Sequence, residues 1–404
     1  MKSWKTSYTA LLIAETLAIM GFGLSIPVIP LFLEEDIGIT DPVRLKAWVG
    51  LIQSSAAITL AIFAPIWGHL ADVFSRRLML LRAMFGGALV ISLMTFVNSP
   101  WQFLVLRSIQ GCLTGTVAAA TVLAAGISPA AQVAFTLGLL QTGVSVGNSI
   151  GPLVGGVLSD FIGYRAAFFG TGLTLAISGF IVLKWVDEDY RPPAGEKKKI
   201  SLFPDVRPII ASPLLLALML VTFGMHASSS AASPMLPLFL KELALRVTDA
   251  PEYIGSSTGI VLGVGAAFTA LAAALVGKFS GRLGYWITLL VCLCGGAIMT
   301  VPQTFVTNVY QLTVLRAMSS FFIGGCIPVI NAIIAVSTEK NQQGAIYGIN
   351  SSIASTGAAL GPVIGAAAAM ISYRAVFMVS ALLLALSALS IRKRSRFEVT
   401  AHKT

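Results

Sequence analysis

Charge is what this 404-residue chain has least of: 11% of its residues are Asp, Glu, Lys or Arg, where about a quarter is usual in soluble domains. Hydrophobic residues make up 56%, and the mean hydropathy is +0.86. That balance excludes a water-soluble protein of this length. Cysteine is scarce as well, and Cys112, Cys292, Cys294 and Cys326 all fall inside apolar runs. There they act as small hydrophobes and form no disulfide framework. Cys292 and Cys294, two apart on a helix, point away from each other and make no metal pair. No G-x-x-x-x-G-K-[ST] stretch occurs, and no Ser/His/Asp, Cys/His or metal-ligand constellation stands at meaningful spacing. An enzyme, an ATP-driven machine and a bound cofactor or metal are therefore not expected. Acidic residues number 17 against 27 Lys and Arg, a net charge of +10. In so apolar a chain this surplus reads as one-sided anchoring of membrane helices, and nucleic acid is not an expected partner.

What the chain does have is long apolar runs, each near the ~20 residues a membrane helix needs. Twelve can be read, at 8–33, 47–71, 78–97, 101–125, 132–159, 166–186, 211–240, 254–277, 285–304, 308–335, 344–370 and 374–391. The first is too long for a signal-peptide core and lacks a small-residue cleavage site. Continuous runs exclude a membrane β-barrel, whose strands alternate. If both termini are cytoplasmic, 19 Lys and Arg fall on inside segments and six on outside ones. The positive-inside rule selects that topology, in the plasma (inner) membrane. The longest hydrophilic stretch, Asp187 to Pro208, holds Arg191-Pro192-Pro193 and Lys197-Lys198-Lys199. It predicts a bundle over 1–186, a cytoplasmic linker over 187–210 and a second bundle with a cytoplasmic tail over 211–404.

The two bundles repeat each other. Pro30-Leu31-Phe32-Leu33 returns as Pro237-Leu238-Phe239-Leu240, Leu106-Arg107 as Leu315-Arg316, Gly151-Pro152 as Gly361-Pro362, and Tyr164-Arg165-Ala166 as Tyr373-Arg374-Ala375. The offsets are 207, 209, 210 and 209. An even number of spans per copy gives both copies the same orientation, a parallel repeat with a pseudo-two-fold axis along the membrane normal. The expected architecture is all-α, twelve transmembrane helices in two pseudo-symmetric six-helix bundles, with a small-molecule path near the midplane.

Several motifs carry a family resemblance. Gly68-His69-Leu70-Ala71-Asp72-Val73-Phe74-Ser75-Arg76-Arg77 resembles the signature loop G-x-L-A-D-R-x-G-R-R of the major facilitator superfamily, with Val73 in place of the usual base and Ser75 in place of the usual glycine. By that resemblance Gly68, Asp72, Arg76 and Arg77 belong to a cytoplasmic gate. Arg107-Ser108-Ile109-Gln110-Gly111 matches the R-x-x-Q-G motif associated with proton-coupled members. An arginine in the bilayer costs about 3 kcal/mol or more unless it is paired or wetted. Gly138, Gly147, Gly151, Pro152, Gly155 and Gly156 satisfy G-x8-G-x3-G-P-x2-G-G, similar to the antiporter motif of drug/proton exporters, and Gly348, Gly357, Gly361, Pro362 and Gly365 repeat it. Small residues at such spacing let helices approach closely, and proline kinks the helix, so both sets are expected to form hinges in helices 5 and 11. Gly21 to Pro30 resembles the end of helix 1 in the twelve-span branch of these antiporters.

Of the acidic residues, only Glu15 lies well inside a span. A carboxylate in oily surroundings favours its neutral form, and cation binding or opening to water then expels the proton, which is the simplest physics of antiport. Glu15 is the expected proton site, with Arg107 and His226 as further coupling groups. By the rise of a helix, Glu15 sits about 8 Å to one side of its span's centre and Arg107 about 9 Å to the other side of its own, so no ion pair between them is expected. Phe22, Gln53, Gln141, Asn331 and Asn350, with Phe32 and Phe239, are candidate cavity residues. The resulting expectation is a monomeric transporter in the lipid bilayer, exporting small amphipathic compounds in exchange for protons by alternating access. A carrier of one metabolite, a sugar, organic anion or amine, shares the fold and stands as the alternative.

Overall fold

The computed structural model describes residues 3–73, 75–188, 212–245, 253–338 and 343–392, and these form helices joined by short turns. The predicted linker beyond Glu188 and the C-terminal tail lie outside the described residues.

Prolines and a glycine decide where the apolar runs break. The first run is α1 (Trp4–Ser25) and the short α2 (Ile29–Glu35), split at Pro27. The next two are α3 (Pro42–Val73) and α4 (Arg76–Leu93). The fourth run, expected as one helix, is two: α5 (Pro100–Leu113) and α6 (Thr116–Ile127). Thr114 is extended and Gly115 has φ 115°, a left-handed conformation that glycine adopts without strain. Then follow α7 (Val133–Ile162) and α8 (Tyr164–Trp185).

In the second repeat the seventh run is α9 (Pro213–Ala232), a turn at Ser233–Met235 with Pro234, and α10 (Leu236–Leu245). The remaining helices are α11 (Ile254–Leu283), α12 (Tyr285–Thr300), α13 (Val309–Ser337), α14 (Gln343–Ile371) and α15 (Tyr373–Arg392). Among the described residues, 11 spans are long and apolar enough to cross a membrane. The remaining predicted run, the fifth at 132–159, forms α7, which is 30 residues long but diluted by Gln141, Ser145, Asn148, Ser149 and its glycines.

Contacts divide the chain into two compact units, Met1–Ile200 with Ala250–Gly263, and Ser201–Asp249 with Val264–Thr404. The first is centred on Phe32, Phe103 and Phe168, all fully buried, with ring centroids 5.1 to 5.6 Å apart in edge-to-face geometry. The second keeps one such pair, Phe239 on Phe377 at 5.2 Å, beside a core of Leu218, Leu289, Val329, Ile333 and Leu384. Phe32 and Phe239 are thus core residues, not the cavity walls expected from sequence. The reason is packing: each has an aromatic partner on the last helix of its repeat, Phe168 on α8 and Phe377 on α15. Large apolar side chains such as Phe96, Phe135, Ile287 and Ile371 point outward instead. Water would penalise such a surface and lipid does not.

Candidate functional site

Glu15 lies in the middle of α1 with no exposed surface. Its carboxylate meets the break in the fourth span, where Thr116 Oγ1 donates a hydrogen bond of 2.9 Å to Glu15 Oε1. Thr116 is the first residue of α6. The interruption turns a run that would have passed continuously into one that presents a fresh helix N-terminus, with its free N–H groups and partial positive charge. The other oxygen, Oε2, is buried without a hydrogen-bond partner among the described residues. Thr116 was not singled out from sequence, although Thr114-Gly115-Thr116 inside an apolar run is a readable breaker signal.

Arg107 is 8% exposed and does not snorkel to the surface. It donates from one guanidinium nitrogen to Gln110 Oε1 at 2.8 Å and from the other to Gln53 Oε1 on α3. Its Nε is buried without a partner among the described residues. Gly111 explains the motif's last position, since an added Cβ would overlap Ala56 and Thr59 of α3. The missing side chain lets α5 lie close enough for Arg107 to reach Gln53. Glu15 and Arg107 keep separate partners. Arg316, also 8% exposed, donates from a guanidinium nitrogen to Ser233 Oγ at 3.3 Å. His226 is partly buried, and its Cβ stands 3.2 Å from where a Gly357 Cβ would be.

The glycines sort into two classes. A Cβ on Gly147 would stand 2.8 Å from Thr16 O, one on Gly151 2.5 Å from Met20 O, and one on Gly155 2.5 Å from Leu24 Cα. Gly143, missed by the motif, also abuts Thr16. Together they form a G-x3-G-x3-G-x3-G stripe that seats α7 on α1. Gly357, Gly361 and Gly365 do the same for α14 on α9, with Phe223 O and Ser230 Cβ each 2.6 Å away and Ala231 Cα 3.0 Å away. Gly138 and Gly348 meet nothing within 4 Å. Gly156 faces Gly255 at the start of α11, and beside it Asp160 accepts the N–H groups of Gly255 and Ser256 at 3.0 and 2.7 Å. A carboxylate thus caps the first turn of α11. Pro152 and Pro362 lie within α7 and α14.

Of the expected gate, Gly68 and Asp72 lie in α3 at positions whose surroundings fall outside the described residues. Arg76 and Arg77 open α4, and their backbone N–H groups donate to Glu188 at 3.3 and 2.9 Å, while Ser75 Oγ donates to Glu188 Oε2 at 2.7 Å. The guanidinium groups donate to backbone carbonyls, Arg76 to Val122 of α6 and Arg77 to Leu183 in the last turn of α8. Glu188, left among loop carboxylates on sequence grounds, holds this corner of the unit. Among the candidate cavity residues, Gln141 and Asn331 are exposed and Phe22 is partly buried. Asn350 accepts a 2.7 Å hydrogen bond from Thr222, so its Oδ1 is already engaged.

Repeated helices long and apolar enough to cross a membrane, with a buried carboxylate and arginine in the first unit and a buried arginine in the second, define a class: a polytopic membrane protein. The sequence profile of the Major Facilitator Superfamily matches residues 11–306 and 255–403. The chain belongs to that superfamily. It is 32% identical over 397 residues to the Multidrug resistance protein MdtG of Enterobacter lignolyticus, covering 97% of this chain and 93% of that one. To the protein of the same name from Salmonella arizonae it is 32% identical over 381 residues, 94% of this chain and 93% of that one. Among solved structures, a bacterial homologue of the human lysosomal transporter Spinster superposes with a TM-score of 0.79 at 14% identity, covering 98% of both chains. The nucleoside transporter NupG gives 0.79 at 12% identity, covering 96% of this chain and 99% of that one. At such identities these structures establish the shared fold alone.

Proposed function

We propose that the protein exports small amphipathic compounds across the inner membrane in exchange for protons, by alternating access of its two six-helix bundles, with both termini in the cytoplasm. The observation that carries this reading is the fully buried carboxylate of Glu15, held through one oxygen by Thr116 at the start of α6. A group so placed, with its second oxygen unpartnered, can exchange a proton for a cationic or polar part of a substrate once its surroundings open to water. Relatives named for multidrug resistance, at 32% identity over nearly the whole chain, support the direction and the substrate class. Arg107, with Gln53 and Gln110, is the second polar centre of the same unit, and it acts through water or substrate.

The test is efflux of a fluorescent cationic dye from cells or proteoliposomes, with and without an acid-outside pH gradient, for the wild type and Glu15→Gln. Gradient-driven extrusion that Glu15→Gln abolishes is the expected result. Extrusion that survives the substitution removes Glu15 from the mechanism, and dye accumulation in place of extrusion favours an importer of one metabolite.

A further inference from the structure

A groove of about 580 Å³ runs along the first unit's surface between the start of α1 and the end of α8. Its contents change with depth. Lys5, Thr6 and Thr9 occupy the first turns of α1, Ile181 lies one turn from the end of α8 at about the depth of Thr9, and Ile13 lies deeper, towards the middle of α1. Trp185 closes the terminal side. The three polar residues are exposed, Ile13 is 49% exposed and Trp185 40%. Lys184 Nζ lies 4.8 Å from the centre of the Trp185 ring. No acidic side chain stands in the first turn of α1. Asp187, just beyond Trp185, donates its backbone N–H to Ser7 Oγ at 3.2 Å and so ties the end of α8 to α1.

We propose that this groove binds an anionic phospholipid of the surrounding membrane. The phosphate lies against Lys5 Nζ and the Thr6 and Thr9 hydroxyls, and one acyl chain lies over Ile13 and Ile181. The order of groups along the groove is that of the lipid itself, charged at the membrane surface and apolar below it. Charge selects the occupant, because a zwitterionic lipid brings its own cation to Lys5 and an anionic one does not. Tryptophan at the rim fits the interface depth, where its apolar ring and N–H are both accommodated. A basic pocket between membrane helices at the surface is the chemistry that anionic headgroups recognise. This inference is independent of the transport reading, since it concerns the lipid-facing side of α1, whereas Glu15 lies on the buried side.

The full chain, purified into mixed micelles with equal amounts of phosphatidylglycerol and phosphatidylcholine of matched acyl chains, tests it by native mass spectrometry. Wild type is expected to retain phosphatidylglycerol at activation energies that strip phosphatidylcholine. Lys5→Gln should lower that retention about five-fold, the effect of one surface charge, and Lys5→Arg should preserve it. Lys278→Gln, a basic residue of α11, should leave it unchanged. Lys5 and Thr9 are exposed, so Lys5→Gln and Thr9→Val should keep the wild-type melting temperature, which separates lost binding from lost folding. Equal retention of the two lipids, undiminished retention in Lys5→Gln, or displacement of the lipid by excess inorganic phosphate would each overturn the proposal.

Discussion

Helices α1 and α9 hold matching places in the two repeats, yet one carries a carboxylate and the other a hydroxyl. The glycine contacts fix the correspondence: Gly147 faces Thr16 and Met20 as Gly357 faces Phe223 and Ala227, an offset of 207 on the facing helix. By that register Glu15 corresponds to Thr222. Thr116, its partner, corresponds to Gly325, which lies inside the unbroken helix α13. Packing has been kept in both copies while the charge and the helix break exist in one. The arginines tell the same story. Gln53 and Gln110, which hold Arg107, have Leu262 and Ser319 at the matching positions, and Arg316 turns to Ser233 instead. Even the close contact under the arginine is conserved by exchange, Ala56 and Gly111 in one copy becoming Gly265 and Ser320 in the other, with the smaller residue moved to the opposite helix. A duplicated scaffold has thus kept its shape and divided its chemistry.

The sharpest break of that comparison is Glu15→Gln against Thr222→Val. The glutamine keeps the side chain's shape and an oxygen for Thr116 but has no proton to release, so gradient-driven dye efflux should fall to the level seen without a gradient. Thr222→Val loses one hydrogen bond to Asn350, a matter of about 1 kcal/mol, and should leave most efflux intact. Equal loss in both variants would remove the asymmetry on which the proposed mechanism stands.

Gly155→Val and Gly365→Val come next and should behave alike, because each places a side chain against the backbone of the facing helix. Overpacking of this kind costs about 1–3 kcal/mol. Both variants should melt at lower temperature in detergent than wild type. A large drop in only one of them would mean that the two copies do not share this packing.

Shape was easier to read from sequence than chemistry, and particular residues show why. The apolar runs, the offsets near 209 and the register of Gly147, Gly151 and Gly155 are local patterns, and each has a counterpart in the helices and their contacts. Glu15 was legible because a single carboxylate in an apolar run is a strong signal. Its partner was not, since Thr116 lies about a hundred residues away and becomes a donor only because Thr114 and Gly115 interrupt the helix. Glu188 escaped for a related reason. It reads as one loop carboxylate among many, and only the fold brings it to the N–H groups of Arg76 and Arg77. Phe32 and Phe239 were misplaced because an aromatic residue near a helix end looks the same in sequence whether it lines a path or fills a core.

Asp160→Asn probes a smaller effect. The carboxylate accepts two backbone N–H groups of the first turn of α11, and asparagine retains one acceptor without the charge. About 1 kcal/mol of helix-capping stabilisation is at stake, read as a modest fall in melting temperature. An unchanged melting curve would show that the cap contributes nothing.

Gly138 and Gly348 give the smallest expected change and the one of opposite sign. Both satisfy the antiporter pattern, yet neither approaches another helix, with nothing within 4 Å of an added Cβ. Glycine inside a helix costs roughly 0.5–1 kcal/mol relative to alanine through backbone entropy. If these two positions serve packing no more than they seat a neighbour, Gly138→Ala and Gly348→Ala should raise the melting temperature slightly and leave dye efflux unchanged. Efflux that falls while the melting temperature rises has a different cause, because stabilising the helix would then be what harms transport. In that case α7 and α14 must bend near these glycines during the cycle, and the motif divides into an open pair that moves and a packed trio that holds.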